Sequence, residues 1–309
     1  MGKFVTKLVG FFIPLILFLG LNLFLPVTPK ASSSLLMAIR EKEISLKSVD
    51  SPRIILVGGS NLSFGICGQM IQDSLHLHPI NMSIHASIGL IHMMNQASQN
   101  IKKGDLVVLI PEYQQYFGSY AYGSDGEELI RSVFDAQPTD YKLLGFKQWL
   151  FVLKSLPKYS LSKYNYKEYF NVEKSLIYGA QSFNSFGEVD KHWGMSREHF
   201  SPFLTIEDPL NVNVFLAIRS FKDQIEAKGG RLVLSFPCYQ DSSFNNSKKQ
   251  IGLVAQRLQQ DRFVVVGSPA RYAMPDSLLF NTPYHLTKNG MEYRTKLLVQ
   301  DINLLLSNS

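Results

Sequence analysis

Ser60 follows two glycines at the end of an apolar run, RIILVGGSN (53–61), which is a setting for a nucleophile. The glycines let the backbone turn sharply, so the hydroxyl would stand uncovered at the tip, near backbone N–H groups able to meet a developing oxyanion. The same turn would serve equally well to cap a helix. It is no phosphate cradle, because neither GxxxxGK[ST] nor GxGxxG is present. The second group is His285, in NTPYHLTKNG at the entry to the last helical stretch. The positive end of a helix dipole disfavours imidazolium, so this ring would stay neutral and act as a base; the plainer reading is a histidine packed beside a helix cap. Gly89 in HASIGL and Glu112 in IPEYQQ close two further apolar stretches. Together these turns offer a hydroxyl, a base and backbone donors, the set that acyl transfer through a serine ester needs.

Those turns require a framework of strands. RIILV (53–57), PINMSI (79–84), DLVVLI (105–110), RLVLSF (231–236) and RFVVVG (262–267) are short continuous apolar runs, the pattern of strands buried on both faces. Helical stretches alternate with them: from about Ser63, from Gly89 to Ile101, over 210–230, near 246–260, and over 288–306 with Thr287 as N-cap. The expectation is an α/β, three-layer αβα fold with a five-stranded parallel flavodoxin-like sheet and its ligand site at the C-terminal strand ends. Between the third and fourth runs lies an insertion, about 113–208, too long for an ordinary connection. It holds 21 of the 37 aromatic residues, including both tryptophans. The rings would form the insertion's own core, or face carbohydrate as a lid. FKQWLFVLKSL (146–156) is amphipathic enough to rest on a bilayer.

Residues 8–27, LVGFFIPLILFLGLNLFLPV, contain no charge and are long enough to cross a bilayer as a helix. Residues 1–30 therefore read as an uncleaved signal anchor; a cleaved signal peptide is the competitor, but the exit lacks a small-x-small site. Residues 31–50 read as a polar, partly helical stalk, and 51–309 as the α/β domain. A short basic N-terminus usually stays inside, which places the domain in the periplasm or at the cell exterior. The chain's net charge is +6, of which Lys3, Lys7 and Lys30 supply half, and no basic block follows. A nucleic-acid partner is not expected. Two cysteines, Cys67 and Cys238, cannot build a disulfide scaffold; they would pair if oxidised or stay as buried thiols.

The serine block ILVGGSNLSFGI (55–66) and the histidine block YHLTKNGMEYRT (284–295) resemble the SGNH (GDSL-like) hydrolase superfamily. The likeness is closest to its membrane-anchored bacterial branch, found with envelope polysaccharide O-acetylation and D-alanyl transfer. FNSFGEVDKHWG (183–194) is similar to a segment that long-insertion members carry. The resemblance implies a serine acyltransferase or esterase acting on acyl groups, O-acetyl foremost, of an extracytoplasmic polysaccharide. It implies Ser60 as nucleophile, His285 as general base and then acid, and the Ser60 and Gly89 N–H groups as oxyanion donors. A membrane acyl-donor protein would be a partner, and no cofactor or metal is called for.

Two positions depart from the family pattern. Where an acid should orient His285, Asn281 stands four residues before it, with Asp276 as a substitute if the loop folds back. An Asn holds a ring in place but stabilises imidazolium poorly; Asp-to-Asn replacement in a serine-protease triad costs about 10⁴ in rate. Glu112 stands where the family's oxyanion Asn would, and an ionised carboxylate cannot donate a hydrogen bond. It would have to be protonated by burial or act as the missing acid for His285. These departures carry the alternative reading, a catalytically inactive glycan-binding or assembly subunit. Asn61, His85, Asp190 and His192 are further residues able to line the site. The remaining histidines, His76, His78, His92 and His199, show no HExxH or comparable metal spacing. A phosphoester enzyme would want a cluster of acids at the strand ends, which the sequence lacks.

Overall fold

Four of the five apolar runs form one parallel sheet. In the computed structural model, which describes residues 2–307 except 171, 173 and 174, β1 (Arg53–Gly58), β2 (His78–Asn81), β3 (Leu106–Ile110) and β4 (Arg231–Leu234) lie in the order β2-β1-β3-β4. Ile55 stands beside Ile80 on one side and Val107 on the other, and Val108 beside Val233. Alternate residues feed two cores. Ile55, Val57, Val107 and Leu109 pack with Leu90, Met93 and Met94 of the helix Leu90–Ser98 and with Val214, Ile218 and Phe221 of the helix Val212–Ala227. Ile54, Leu56, Val108 and Ile110 pack with Leu298, Val299 and Ile302 of the last helix, Lys288–Ser307. With helices on both faces every residue of β1 and β3 is buried, which is why those runs carry no polar alternation. The protein is an α/β fold built on a parallel sheet.

The expected fifth strand does not form. Residues 262–267 reduce to one bridge between Leu234 and Val265, closed by Leu234 N–H to Val264 O and Val266 N–H to Leu234 O, both 2.9 Å. The flanks explain this. Arg262 sits at φ 56° and the Phe263 N–H bonds back to Leu258 O, so the preceding helix, Lys248–Gln260, runs directly into the stretch. Gly267, at φ 74°, turns the chain away into the 3₁₀ turn Pro269–Tyr272. A second small sheet pairs Tyr239–Gln240 with Ala273–Met274.

Residues 31–50 are folded against the domain and do not stand off as a stalk. Leu36, Ala38, Ile39 and Leu46 enter the main core, and the Lys42 ammonium donates to the carbonyls of Asn81, Ser83 and Gly187. Apolar and polar groups alternate there at helical spacing, and the buried lysine is satisfied by backbone carbonyls that the sequence does not reveal. The insertion is mostly short turns around one long helix, Phe146–Ser162. Tyr113, Tyr116, Phe117 and Tyr122 join the main core, while Tyr159 packs with Leu129, Val133 and Val152 in a smaller one. Before all of this lies the apolar helix Gly2–Leu21, which buries none of its residues.

At the N-terminal edge of the sheet, Arg53 and Asp105 form a fully buried fork, Nη2 to Oδ2 at 2.5 Å and Nε to Oδ1 at 3.0 Å. Arg53 also donates to Leu46 O and Asn100 O, joining the segment before β1 to the sheet. Removing one partner strands a buried charge, so Asp105→Ala should lower the unfolding free energy by about 3–5 kcal/mol in urea titration. Any activity arising at the opposite, C-terminal strand ends, roughly 20 Å away along a six-residue strand, should be unchanged per folded molecule.

Candidate active site

The turn after β1 is shaped by what presses on it. A Cβ at Gly58 would strike Ile110 O, and one at Gly59 would strike the Glu112 carboxyl and Ala86 Cβ. Glycine at 58 lets the turn lie against β3, and glycine at 59 lets the carboxyl close over the first turn of the helix Ser60–Ser63. There the Ser60 hydroxyl donates to Glu112 Oε1 at 3.1 Å, and the Asn61 N–H donates to the same oxygen at 3.1 Å. Burial pushes the Glu112 pKa up, against the Asn61 N–H and the nearby His85, which favour the carboxylate. The Ser60 N–H has no partner among the described residues.

His285 is brought to this turn by the loop before the last helix. Its N–H donates to Thr282 Oγ1 at 3.1 Å and its carbonyl accepts from the Phe280 N–H at 2.8 Å. Thr287 then caps the helix, accepting from the Gly290 N–H at 3.2 Å. The ring lies flat on Phe64, four residues after Ser60, with centroids 4.1 Å apart and planes at 13°. Nδ1 lies 2.9 Å from Asn281 Oδ1, and Asn281 Nδ2 donates to the Tyr178 hydroxyl at 2.7 Å. Because the Asn281 amide spends its N–H on Tyr178, its oxygen faces the imidazole, which must carry its proton on Nδ1. Nε2 makes no hydrogen bond among the described residues, so its lone pair is the available base. Burial first, then the proximity of His85 and His192, lowers the His285 pKa to about 3.

Other candidate residues are placed as follows. Glu112 bonds Ser60 and not His285, and Asp276 accepts from Gln240 Nε2 at 2.8 Å, so neither orients the imidazole; Asn281 does. The Gly89 N–H, expected to face an oxyanion, is committed to Ala86 O at 3.0 Å. Gly89 is glycine for another reason, its φ of 95° and the backbone of residues 121–123 against it. The Asn61 side chain turns inward to Ile110 O, 3.2 Å away, and does not line the cleft. Asp190 pairs with Asn184. His192 is buried behind Phe64, its Nε2 2.8 Å from Leu286 O. The segment 183–194 is thus packed behind the site, with the Val189 N–H on Ser63 O at 2.8 Å. Cys67 and Cys238 are free, buried thiols; burial pushes the Cys238 thiol up to about 12.

Two hollows flank this centre. His85 and Tyr178 border one of about 520 Å³, also lined by Lys30, Arg131 and Lys158 and by Glu127, Glu128 and Glu168. Glu112 and Tyr120 border another, of about 330 Å³, with Phe203 and Leu204. Phe64 and Tyr178 are the site residues that sequence reasoning missed. Phe64 is legible in hindsight, one helical turn after Ser60. Tyr178 is one tyrosine among ten in the insertion and carries no local signal.

No protein-family profile and no curated protein matches the chain. Among solved structures it is similar to the protein YxiM of Bacillus subtilis at 12% identity and a TM-score of 0.39. That match covers 82% of this chain and 57% of the other, so the chain spans little more than half of its structural neighbour.

The site geometry predicts a neutral, Nδ1-protonated His285 throughout the ordinary pH range. Long-range ¹H–¹⁵N NMR of the imidazole should show that tautomer, with no protonation until about pH 4 or below; titration near the usual 6.5 would contradict the geometry. The folded pKa is depressed, so the unfolded chain takes up the proton first. His285 then costs stability on the order of 1.4 kcal/mol per unit as pH falls from about 6.5 towards 3.

Proposed function

We propose that this protein is a serine-dependent acyltransferase or esterase of the SGNH type, acting on acyl groups of an extracytoplasmic polysaccharide. The observation that carries the reading is the neutral His285, fixed by Asn281 and stacked on Phe64, four residues after a serine at the tip of a strand-to-helix turn. In this reading the Ser60 hydroxyl swings from Glu112 to His285 Nε2. Oγ attacks the acyl carbonyl, its proton passes to Nε2, and the C–O bond to the leaving alcohol breaks as that alcohol takes the proton. An acceptor hydroxyl, from sugar or water, then gives its proton to Nε2 and takes the acyl group from Ser60. The Ser60 N–H supplies one oxyanion donor. Burial raises the Glu112 pKa, and in its protonated form that carboxyl would supply a second. The apolar N-terminal helix supports a membrane anchor; a short basic N-terminus usually stays inside, which would put the domain outside the cytoplasm, where a membrane acyl-donor protein and the glycan would both be met.

A second reading, a catalytically inactive glycan-binding subunit, is favoured by one observation: the Ser60 hydroxyl is donated to Glu112 rather than to His285. Glycan binding that survives loss of both Ser60 and His285, with no ester turnover in the parent protein, would support it.

Turnover of p-nitrophenyl acetate by the purified full chain tests the first reading. Ser60→Ala and His285→Ala should each reduce kcat/KM by 100-fold or more, and full activity in Ser60→Ala would end the proposal. Asn281→Asp should raise kcat/KM about tenfold or more at neutral pH, because a carboxylate stabilises the imidazolium formed in the transition state. The same change should move the acid limb of the pH profile upward, since a nearby negative charge raises the pKa of the histidine.

A further inference from the structure

The insertion helix Phe146–Ser162 turns Gln148, Val152, Tyr159 and Ser160 into the domain. Its outer face leaves Phe146 79%, Leu150 49%, Leu153 56% and Leu161 63% exposed. With Pro157 these recur at intervals of three and four residues, so they form one continuous stripe along the helix. Exposed Lys147 and Lys154 flank the stripe, the helix contains no acid, and Lys158 is paired with Glu127 at 2.8 Å. An apolar face edged by lysines suits the boundary between acyl chains and anionic headgroups.

Where the helix ends is a second, independent observation. Ser160 Oγ donates to Leu19 O at 3.0 Å, Tyr164 Oη donates to Asn22 Oδ1 at 2.7 Å, and the Tyr164 ring stacks on Phe18 at 5.8 Å. The insertion helix therefore meets the N-terminal helix at the end where that helix would leave the bilayer. Residues 2–18 of the N-terminal helix stay exposed, so the two do not run side by side. Tyr166, Tyr169 and Phe170 continue the exposed surface past the junction with the aromatic residues that membrane interfaces favour.

We infer that the outer face of Phe146–Ser162 lies on the same bilayer that the N-terminal helix enters, its apolar stripe sunk among the headgroups and Lys147 and Lys154 against lipid phosphates. This rests on the membrane-anchor reading of the N-terminal helix. The domain is then held in one orientation by two attachments. The hollow of about 520 Å³, walled by Lys30 just past the anchor and Lys158 of this helix, borders the lipid surface, within reach of an acyl donor held in or beside the membrane.

The test uses the full chain in nanodiscs of phosphatidylcholine and phosphatidylglycerol, with nitroxide labels at Leu150→Cys, Leu153→Cys, Phe12→Cys in the N-terminal helix, and Leu216→Cys, an exposed position on the helix Val212–Ala227. Each spectrum is corrected against the parent protein, whose two cysteines are buried. Labels at 150 and 153 should collide with oxygen several-fold more than with a nickel chelate, as at 12 and opposite to 216. If 150 and 153 are as open to the chelate as 216 while 12 lies in lipid, the anchor stands and this inference is overturned. Shielding of 150 and 153 from both reagents would overturn it too, by showing protein over the stripe. A label at 12 in water would remove the anchor reading and this inference with it.

Discussion

Everything proposed for this site depends on the hydrogen bond between His285 Nδ1 and Asn281 Oδ1. At 2.9 Å it sets the tautomer of the ring, and Tyr178 sets the amide by accepting its N–H at 2.7 Å. Phe64 holds the ring plane, and the capped entry to the last helix holds the backbone. Without Asn281 the imidazole would have no fixed proton position and Nε2 no defined role. With it, a neutral residue does the orienting that a carboxylate does in most serine triads, and gives up the electrostatic help that a carboxylate adds.

The same economy of charge runs through the centre. Burial keeps His285 and His192 neutral and pushes Glu112 toward its protonated form. A buried neutral imidazole avoids the desolvation cost that an uncompensated ion would carry. The consequence for chemistry is specific. Charge would appear only in the transition state, on the imidazole and on the carbonyl oxygen, in surroundings poor in competing water. In the proposed reaction Glu112 would have two uses, as the resting acceptor of the Ser60 hydroxyl and, once protonated, as a donor to the oxyanion.

What the sequence reveals follows from how local each signal is. β1 and β3 are legible because burial on both faces demands unbroken aliphatic runs. Phe263–Val266 has the same look but fails as a strand, because Arg262 and Gly267 take the chain away at each end. The serine, the histidine and Asn281 are legible because a turn, a cap and a spacing of four residues are local features. Tyr178 is not, since it reaches Asn281 from 103 residues away. Nor is the fate of the Gly89 N–H, which depends on a backbone bond to Ala86, or the packing of residues 31–50, which depends on carbonyls offered to Lys42.

The most direct test of the account is whether Ser60 becomes acylated. Intact-mass analysis of the full chain, incubated with an activated acetyl ester and quenched in acid, should show a single added acetyl group. Peptide mapping should place it on Ser60, and it should be absent from Ser60→Ala. A folded protein that gains no acetyl group, or gains it equally in Ser60→Ala, would contradict the account and turn the weight to the glycan-binding reading.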